Sequence, residues 1–253
     1  AWEESLEAFQ KYVFLNPDQP NPQDSLGEMY LRLGRYDEAT AAFHRALALD
    51  RRFNWTRMHQ IMLELERGAV EAAATLAESP EVRLSDPLLK GFWDNLRFEI
   101  LMRQDDLRGE EALALSRTQE CETDPRGWAQ LARIRAREGR TAEVGQALER
   151  LIAAQDATSG AGPDTTALAH QVHGILASSQ GHPLLAAGHY LRAAELERHW
   201  FVAGSLRTAA ARAYLQGNDA ASALHALEPI LRVNPHHAEA TALAARARAA
   251  LRS

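Results

Sequence analysis

The sequence predicts an all-α chain built from antiparallel helix pairs that follow one another as repeats. Three observations predict it. Apolar residues recur at i, i+3, i+4 and i+7 through most of the chain, the stripe of an amphipathic helix. Turn residues, glycine above all, interrupt that stripe about once per helix length. No segment shows the period-two alternation of a half-buried strand. Composition agrees. At 253 residues, 46% hydrophobic and 25% charged, the chain has too much apolar content for intrinsic disorder. It has no run of about 18 apolar residues, so no membrane span is expected. A single cysteine, Cys121, excludes an internal disulfide framework and a four-cysteine zinc site.

The elements follow in order. The chain opens on Ala-Trp-Glu-Glu-Ser-Leu, already inside an amphipathic pattern in which Trp2, Leu6, Phe9 and Val13 share a stripe. That start predicts a fragment of a larger chain, or a segment upstream. Residues 8–20 read as the second half of a helix pair closed by Pro20. Residues 24–50 then give a complete pair. Leu26-Gly27 is followed by Tyr30, Gly34 and Tyr36, then by Ala39, Phe43 and Ala46. Gly27 and Ala39 are small where two helices must cross closely. Tyr30 and Phe43 fill the space between them. Gly34 ends the first helix by allowing a left-handed cap.

Residues 55–65 and 69–77 form the next pair, turning at Gly68. Residues 88–103 and 110–120 form another, with an irregular start after Pro80 and Pro87. Trp128, Leu131 and Ala132, with Gly139 and Leu148, restore the spacing. Gly174, Gly181, Ala186, Tyr190 and Ala193 repeat it. So do Tyr214, Gly217, Ala223, Leu227 and Pro235, one residue longer at the turn. Residues 236–252 read as a closing helix with one wet face. The expectation is one domain over 1–253, with six helix pairs and half a pair at each end. Residues 156–164 read as a flexible surface loop.

Residues 24–50 are similar to the tetratricopeptide repeat, a helix–turn–helix unit of about 34 residues. The signature residues are Leu26, Gly27, Tyr30, Gly34, Ala39, Phe43 and Ala46. The resemblance is strong at 21–53, fair at 125–155, 167–198 and 203–235, and weak at 54–122, where the geometry is extrapolated. It implies a right-handed superhelical solenoid whose concave groove is lined by the first helix of each pair. In that family five positions of the first helix usually touch ligand. In the clearest repeat they are Asn21, Asp24, Glu28, Leu31 and Arg32. At 125–155 they are Arg126, Ala129, Arg133, Ala136 and Arg137. At 167–198 they are Leu168, Gln171, Ile175, Ser178 and Ser179. The implied groove is acidic early, basic in the middle and nearly neutral late. Asp24 and Glu28 would repel a partner's terminal carboxylate, which disfavours the carboxylate-clamp mode known in some members.

Charge narrows the partners. The net charge of −6 offers no bulk attraction to nucleic acid. Residues 1–125 carry 24 acids and 14 bases, whereas residues 126–253 carry 10 acids and 14 bases. Of 28 basic residues only Lys11 and Lys90 are lysine, a bias expected of a GC-rich bacterial genome. Arg133, Arg135, Arg137 and Arg140 cluster in the basic half. Two readings stand side by side. They form a patch for an acidic peptide segment, or for the acidic half of a second copy in a homo-oligomer. Otherwise they form a solvated face balanced by Glu138 and Glu143. His170 and His173 are three apart on one helix, with His182 and His189 on the next; no carboxylate sits at ligand spacing beside the first pair, so no metal is expected. His236 and His237, after Asn-Pro at a helix start, read as surface. Phe92 and Trp93 read as belonging to a helix buried on two sides.

No phosphate loop, nucleophile elbow or zinc-protease motif occurs. Cys121 sits between Glu120 and Glu122, whose charges disfavour a thiolate. The sequence therefore predicts no enzyme, no cofactor and no metal. It predicts a scaffold or adaptor that binds a protein or peptide segment in the groove. The alternative is a regulatory or ligand-sensing repeat region of a larger signalling enzyme or transcription regulator. A cytoplasmic location is favoured, with a periplasmic or envelope-associated one left open by the abrupt start.

Overall fold

The computed structural model describes residues 2–78, 87–159 and 167–252. Among the described residues there are fourteen α-helices and no strand. They are α1 Trp2–Leu15, α2 Pro20–Arg32, α3 Tyr36–Leu49, α4 Asn54–Arg67, α5 Val70–Glu78, α6 Pro87–Arg103 and α7 Leu107–Glu120. Then come α8 Pro125–Arg137, α9 Thr141–Ser159, α10 Ala167–Ser179, α11 Pro183–Leu196, α12 Trp200–Gln216, α13 Ala220–Val233 and α14 Ala238–Ala250. The all-α class is the one predicted. Helix α9 continues to Ser159, so residues 156–159 of the expected loop are helical. Residues 160–164 of that loop, and Pro80, lie outside the described residues.

The turns show why the pairs repeat. Gly34, Gly68, Gly139 and Gly181 all have positive φ, between 71° and 80°. One backbone bond recurs across them. The N–H of Arg35 reaches the carbonyl of Tyr30, Ala69 reaches Glu64, Arg140 reaches Arg135 and His182 reaches Ala177, at 2.8–2.9 Å. This is the six-to-one closure of a helix ended by a left-handed residue. The bond from Asp219 to Tyr214, 2.8 Å, closes a fifth such turn. There the sequence points to Gly217, but the left-handed residue is Asn218, with φ 59°. Asparagine tolerates that region because its short polar side chain bonds locally, and the longer turn moves the role one position on.

The chain divides into two compact units, one of residues 1–104 with 231–239 and one of 105–230 with 240–253. In the first, α2 pairs with α3 and α4 with α5, while α6 lies against α4 and α5. Its core is built on Phe43, fully buried, with Leu31, Met58, Ile61, Met62 and Leu65 also at 0% exposure. Gly27 makes room for Phe43: a Cβ at Gly27 would lie 2.4 Å from the ring. In α6, Trp93, Leu96 and Ile100 are buried along one stripe and Asp94 and Phe98 along another. That is the two-sided burial predicted for the Phe92–Trp93 helix.

In the second unit α8 pairs with α9 and α10 with α11, and α12 packs on α11. The device at Gly27 recurs at Gly174, where a Cβ would lie 2.7 Å from the ring of Tyr190. Ala129, Leu151 and Val172 form one core cluster, flanked by Trp128. Helix α14 buries Ala240, Leu243, Ala244 and Ala247 and exposes Arg246 and Arg248.

Candidate functional site

The residues expected to line a groove fall on α2, α8 and α10, and their surroundings differ from the sequence expectation. On α2, Asp24 is buried, with 4% exposure. Its Oδ1 lies 2.9 Å from Nδ1 of His59 on α4. Burial alone would lower the pKa of His59. The hydrogen bond and charge of Asp24, joined by Glu28, outweigh burial and raise it. Glu28 stands 4.0 Å from Nε2 of the same imidazole. The early acids thus form a structural pair with a histidine on the next first helix. Arg32 stacks over the ring of Trp2, 4.6 Å from its centroid, a cation–π contact. Asn21 is exposed and donates to the hydroxyl of Tyr12 at 3.2 Å. Leu31, also expected to line the groove, is fully buried.

The arginine cluster of α8 is neutralised within its own unit. Arg133 pairs with Glu110, and Arg137 donates to Glu110 at 2.8 Å and pairs with Asp105. Arg135 pairs with Glu111 and lies 3.5 Å from Glu143. Arg140 donates to Glu138 at 2.9 Å and pairs with Glu143. Four guanidinium groups therefore face Asp105, Glu110, Glu111, Glu138 and Glu143. The solvated-face reading of the sequence named only Glu138 and Glu143. It missed the acids of the preceding helix α7, because which helix faces α8 is a matter of packing. Glu110 itself is fully buried. Arg126 is exposed at the start of α8, where Asp124 caps the helix by accepting from its backbone N–H at 3.0 Å.

On α10, Gln171 is half-buried and Ile175 buried. Beside them His170, His173 and His189 gather. The Nδ1 atoms of His170 and His189 are 3.3 Å apart, and the His173 ring stacks on His189 with centroids 5.2 Å apart. Among the described residues no group of three or more His, Cys, Asp and Glu is arranged to hold a metal ion. Burial, then repulsion from His173 and His170, lowers the pKa of His189 below the usual 6.5. A histidine with a lowered folded pKa contributes stability that is present above 6.5 and lost as pH falls through the folded value. Amide protection in α10 and α11, taken against the intrinsic exchange rate at each pH, is therefore expected to fall on acidification from pH 6.5, and His189→Asn to flatten that fall. An unchanged pH profile in the variant would sink this assignment.

A second group was not legible in the sequence at all. In the first unit, the Asn234 side-chain amide donates to the hydroxyl of Tyr36 at 2.9 Å and to Oε2 of Glu66 at 3.1 Å. Nε2 of His237 lies 3.6 Å from Oε1 of Glu66. His237, read as surface, is 4% exposed, whereas His236 is exposed. The correction has a simple cause. In a helix start only one of two adjacent residues faces the packed side. Arg103 donates to the carbonyl of Leu65 at 2.7 Å and lies 4.0 Å from Glu239. Asn234 and Tyr36 are 198 positions apart, and no local sequence signal links them.

Burial pushes the Glu66 carboxyl up to about 7 against the opposing charge of Arg103, and pushes His237 down to about 4, helped by Arg103. The two act in opposite directions. Glu66 contributes stability that is complete below pH 4.5 and lost as pH rises through about 7. His237 contributes stability present above 6.5 and lost as pH falls through about 4. Between 4.5 and 6.5 the slopes oppose each other.

The tetratricopeptide repeat family model matches residues 22–53. A search of curated proteins finds no match. Among solved structures, the chain is similar to the APC/C hetero-tetramer Cut9–Hcn1, with TM-score 0.58 and 15% identity over 96% of this chain and 46% of that one. It also aligns with YrrB, a TPR protein with an unusual peptide-binding site, with TM-score 0.45 and 16% identity over 78% of this chain and 96% of that one. A thermophilic TPR protein of Thermus thermophilus aligns with TM-score 0.38 and 20% identity over 92% of this chain and 100% of that one. The first likeness bears on fold alone. This chain spans just under half of the Cut9–Hcn1 chain it matches. No described helix is long and apolar enough to cross a membrane.

Proposed function

Because the chain carries a tetratricopeptide repeat at residues 22–53 within an all-α array of paired helices, we propose that it is a non-catalytic interaction scaffold. It takes a segment of a partner protein along the first helices of its pairs. The observation that carries this reading is the repeat array itself. Within a unit, stacked pairs bury their apolar faces on their neighbours and leave the remaining helix faces for recognition.

Ion pairing narrows which side chains can anchor a partner. Asp24, Arg133 and Arg137 hold intramolecular ion pairs, so they supply less of the binding energy than the sequence suggests. Trp55 is the better anchor. It occupies the Asn21 position one repeat later, remains 43% exposed and lies 6.2 Å from the ring of Phe92. Large amphipathic aromatics of this kind dominate interface energetics. A photo-crosslinker placed at 21 and at 55, at matching positions of α2 and α4 in the first unit, is expected to capture the same partner chain. Trp55→Ala should weaken that capture by about ten-fold or more. Crosslinks confined to second helices such as α3 and α9 would overturn the reading.

A further inference from the structure

Past Trp55, every residue of helix α4 is buried or half-buried. Counting one repeat on from Asn21, Asp24, Glu28, Leu31 and Arg32 gives Trp55, Met58, Met62, Leu65 and Glu66. The register is fixed by Gly34 and Gly68, which hold the same left-handed turn position. On α2 the same positions leave Asn21 exposed and Glu28 and Arg32 half-buried, with Asp24 and Leu31 buried. On α4 Met58, Met62 and Leu65 are at 0% and Glu66 at 4% exposure.

At Glu66 the covering group is the chain itself. The segment 231–239, which joins α13 to α14, belongs to the first unit. Asn234, 3% exposed, bridges Glu66 and Tyr36 with one amide, and His237 closes over the other carboxylate oxygen. The approach is close at both first-helix turns. A Cβ at Gly34 would lie 2.2 Å from Oδ1 of Asn234, and one at Gly68 would lie 3.1 Å from Cβ of Ala238. Among the segment's contacts are one carboxamide, one imidazole, the Glu239 carboxylate 4.0 Å from Arg103, and a helix start.

We propose that residues 231–239 are an internal occupant of the first unit's recognition face, and that a partner segment gains this face by displacing them. The proposal rests on the scaffold reading. It adds the chemistry of the competitor: a segment with an asparagine-proline turn at a helix start, whose carboxamide reaches both Glu66 and Tyr36. The occupant lowers the apparent affinity of any competitor in proportion to the fraction of time the face is open.

The test uses the full chain and a fluorescent peptide of residues 229–241. Full-length Asn234→Ala/His237→Ala is expected to bind the peptide at least about ten-fold more tightly than the unaltered chain, because its face is vacated. A peptide carrying the same Asn234→Ala change should not bind. Amide exchange in 231–239 should quicken in the variant while α3, around Phe43, keeps its protection. Equal binding by both chains overturns the proposal. So does exchange that rises through the whole unit together, since the segment is then an inseparable part of the fold. If the double variant does not fold, native-state exchange of the unaltered chain decides. The segment must open independently of α3, and joint opening overturns the proposal. None of these outcomes depends on partner crosslinking, so failure here and failure of the scaffold reading are distinguishable.

Discussion

Phe43→Ala is expected to destabilise the first unit by about 3–5 kcal/mol, the range for deleting a fully buried phenylalanine ring. Phe43 has no exposed surface. Its ring fills the space left by Gly27, where even a methyl would come within 2.4 Å, and it stacks on His59 with centroids 5.8 Å apart. Removing it opens a cavity that the rigid crossing of α2 and α3 cannot close. The loss also reaches the Asp24–His59 pair, whose imidazole then has one packed face missing. Repeat arrays need not unfold in one step, so the check is local: amide protection in α2 and α3 should fall far more than in α10 and α11. A uniform small change would show that Phe43 is not the keystone of this pair. Restoring volume with Phe43→Leu should recover part of the loss.

The second large effect concerns the arginines of α8. Arg133→Ala with Arg137→Ala removes both guanidinium groups paired with Glu110, a carboxylate with 0% exposure. Stranding a buried charge costs about 3–5 kcal/mol in full burial. Arg133 and Arg137 are themselves 22% and 33% exposed, so screening reduces this to about 2–4 kcal/mol. The expected result is a drop in the protection of α7 and α8, recovered in part by adding Glu110→Gln. If the triple variant is no more stable than the double, the carboxylate is not what the arginines hold. Binding experiments on this cluster meet the same constraint. Reversing charge at 133 and 137 disturbs the α7–α8 contact whether or not a partner is present, so lost binding alone would not place the partner there.

These two sites also mark where sequence reasoning held and where it stopped. The seven signature residues from Leu26 to Ala46 could be assigned because each role is set by short offsets. A small residue at 27 and a ring at 43 belong to one helix pair, and local geometry fixes what they touch. The left-handed turns were legible for the same reason. Asp24 and Arg133 were not. Both sit at positions that face outward in the repeat pattern, and what faced them came from another helix: His59 for one, Glu110 for the other. His170 and His189 met across a pair in the same way, and their crowding followed from packing.

The sequence by itself determined the all-α class, the pairing of α2 with α3, α4 with α5, α8 with α9 and α10 with α11, the turn positions within about one residue and the core ring at Phe43. These depend on periodicity and on contacts within one repeat. Only the tertiary structure decided that the acids and arginines expected in a groove are internally paired, that α4 is buried or half-buried past Trp55, and that Asn234 and His237 lie against Glu66. Those outcomes bring together residues from different pairs, and in one case residues 168 positions apart. Repeat periodicity specifies each unit and its neighbour; it carries no information about which distant turn a polar side chain will meet.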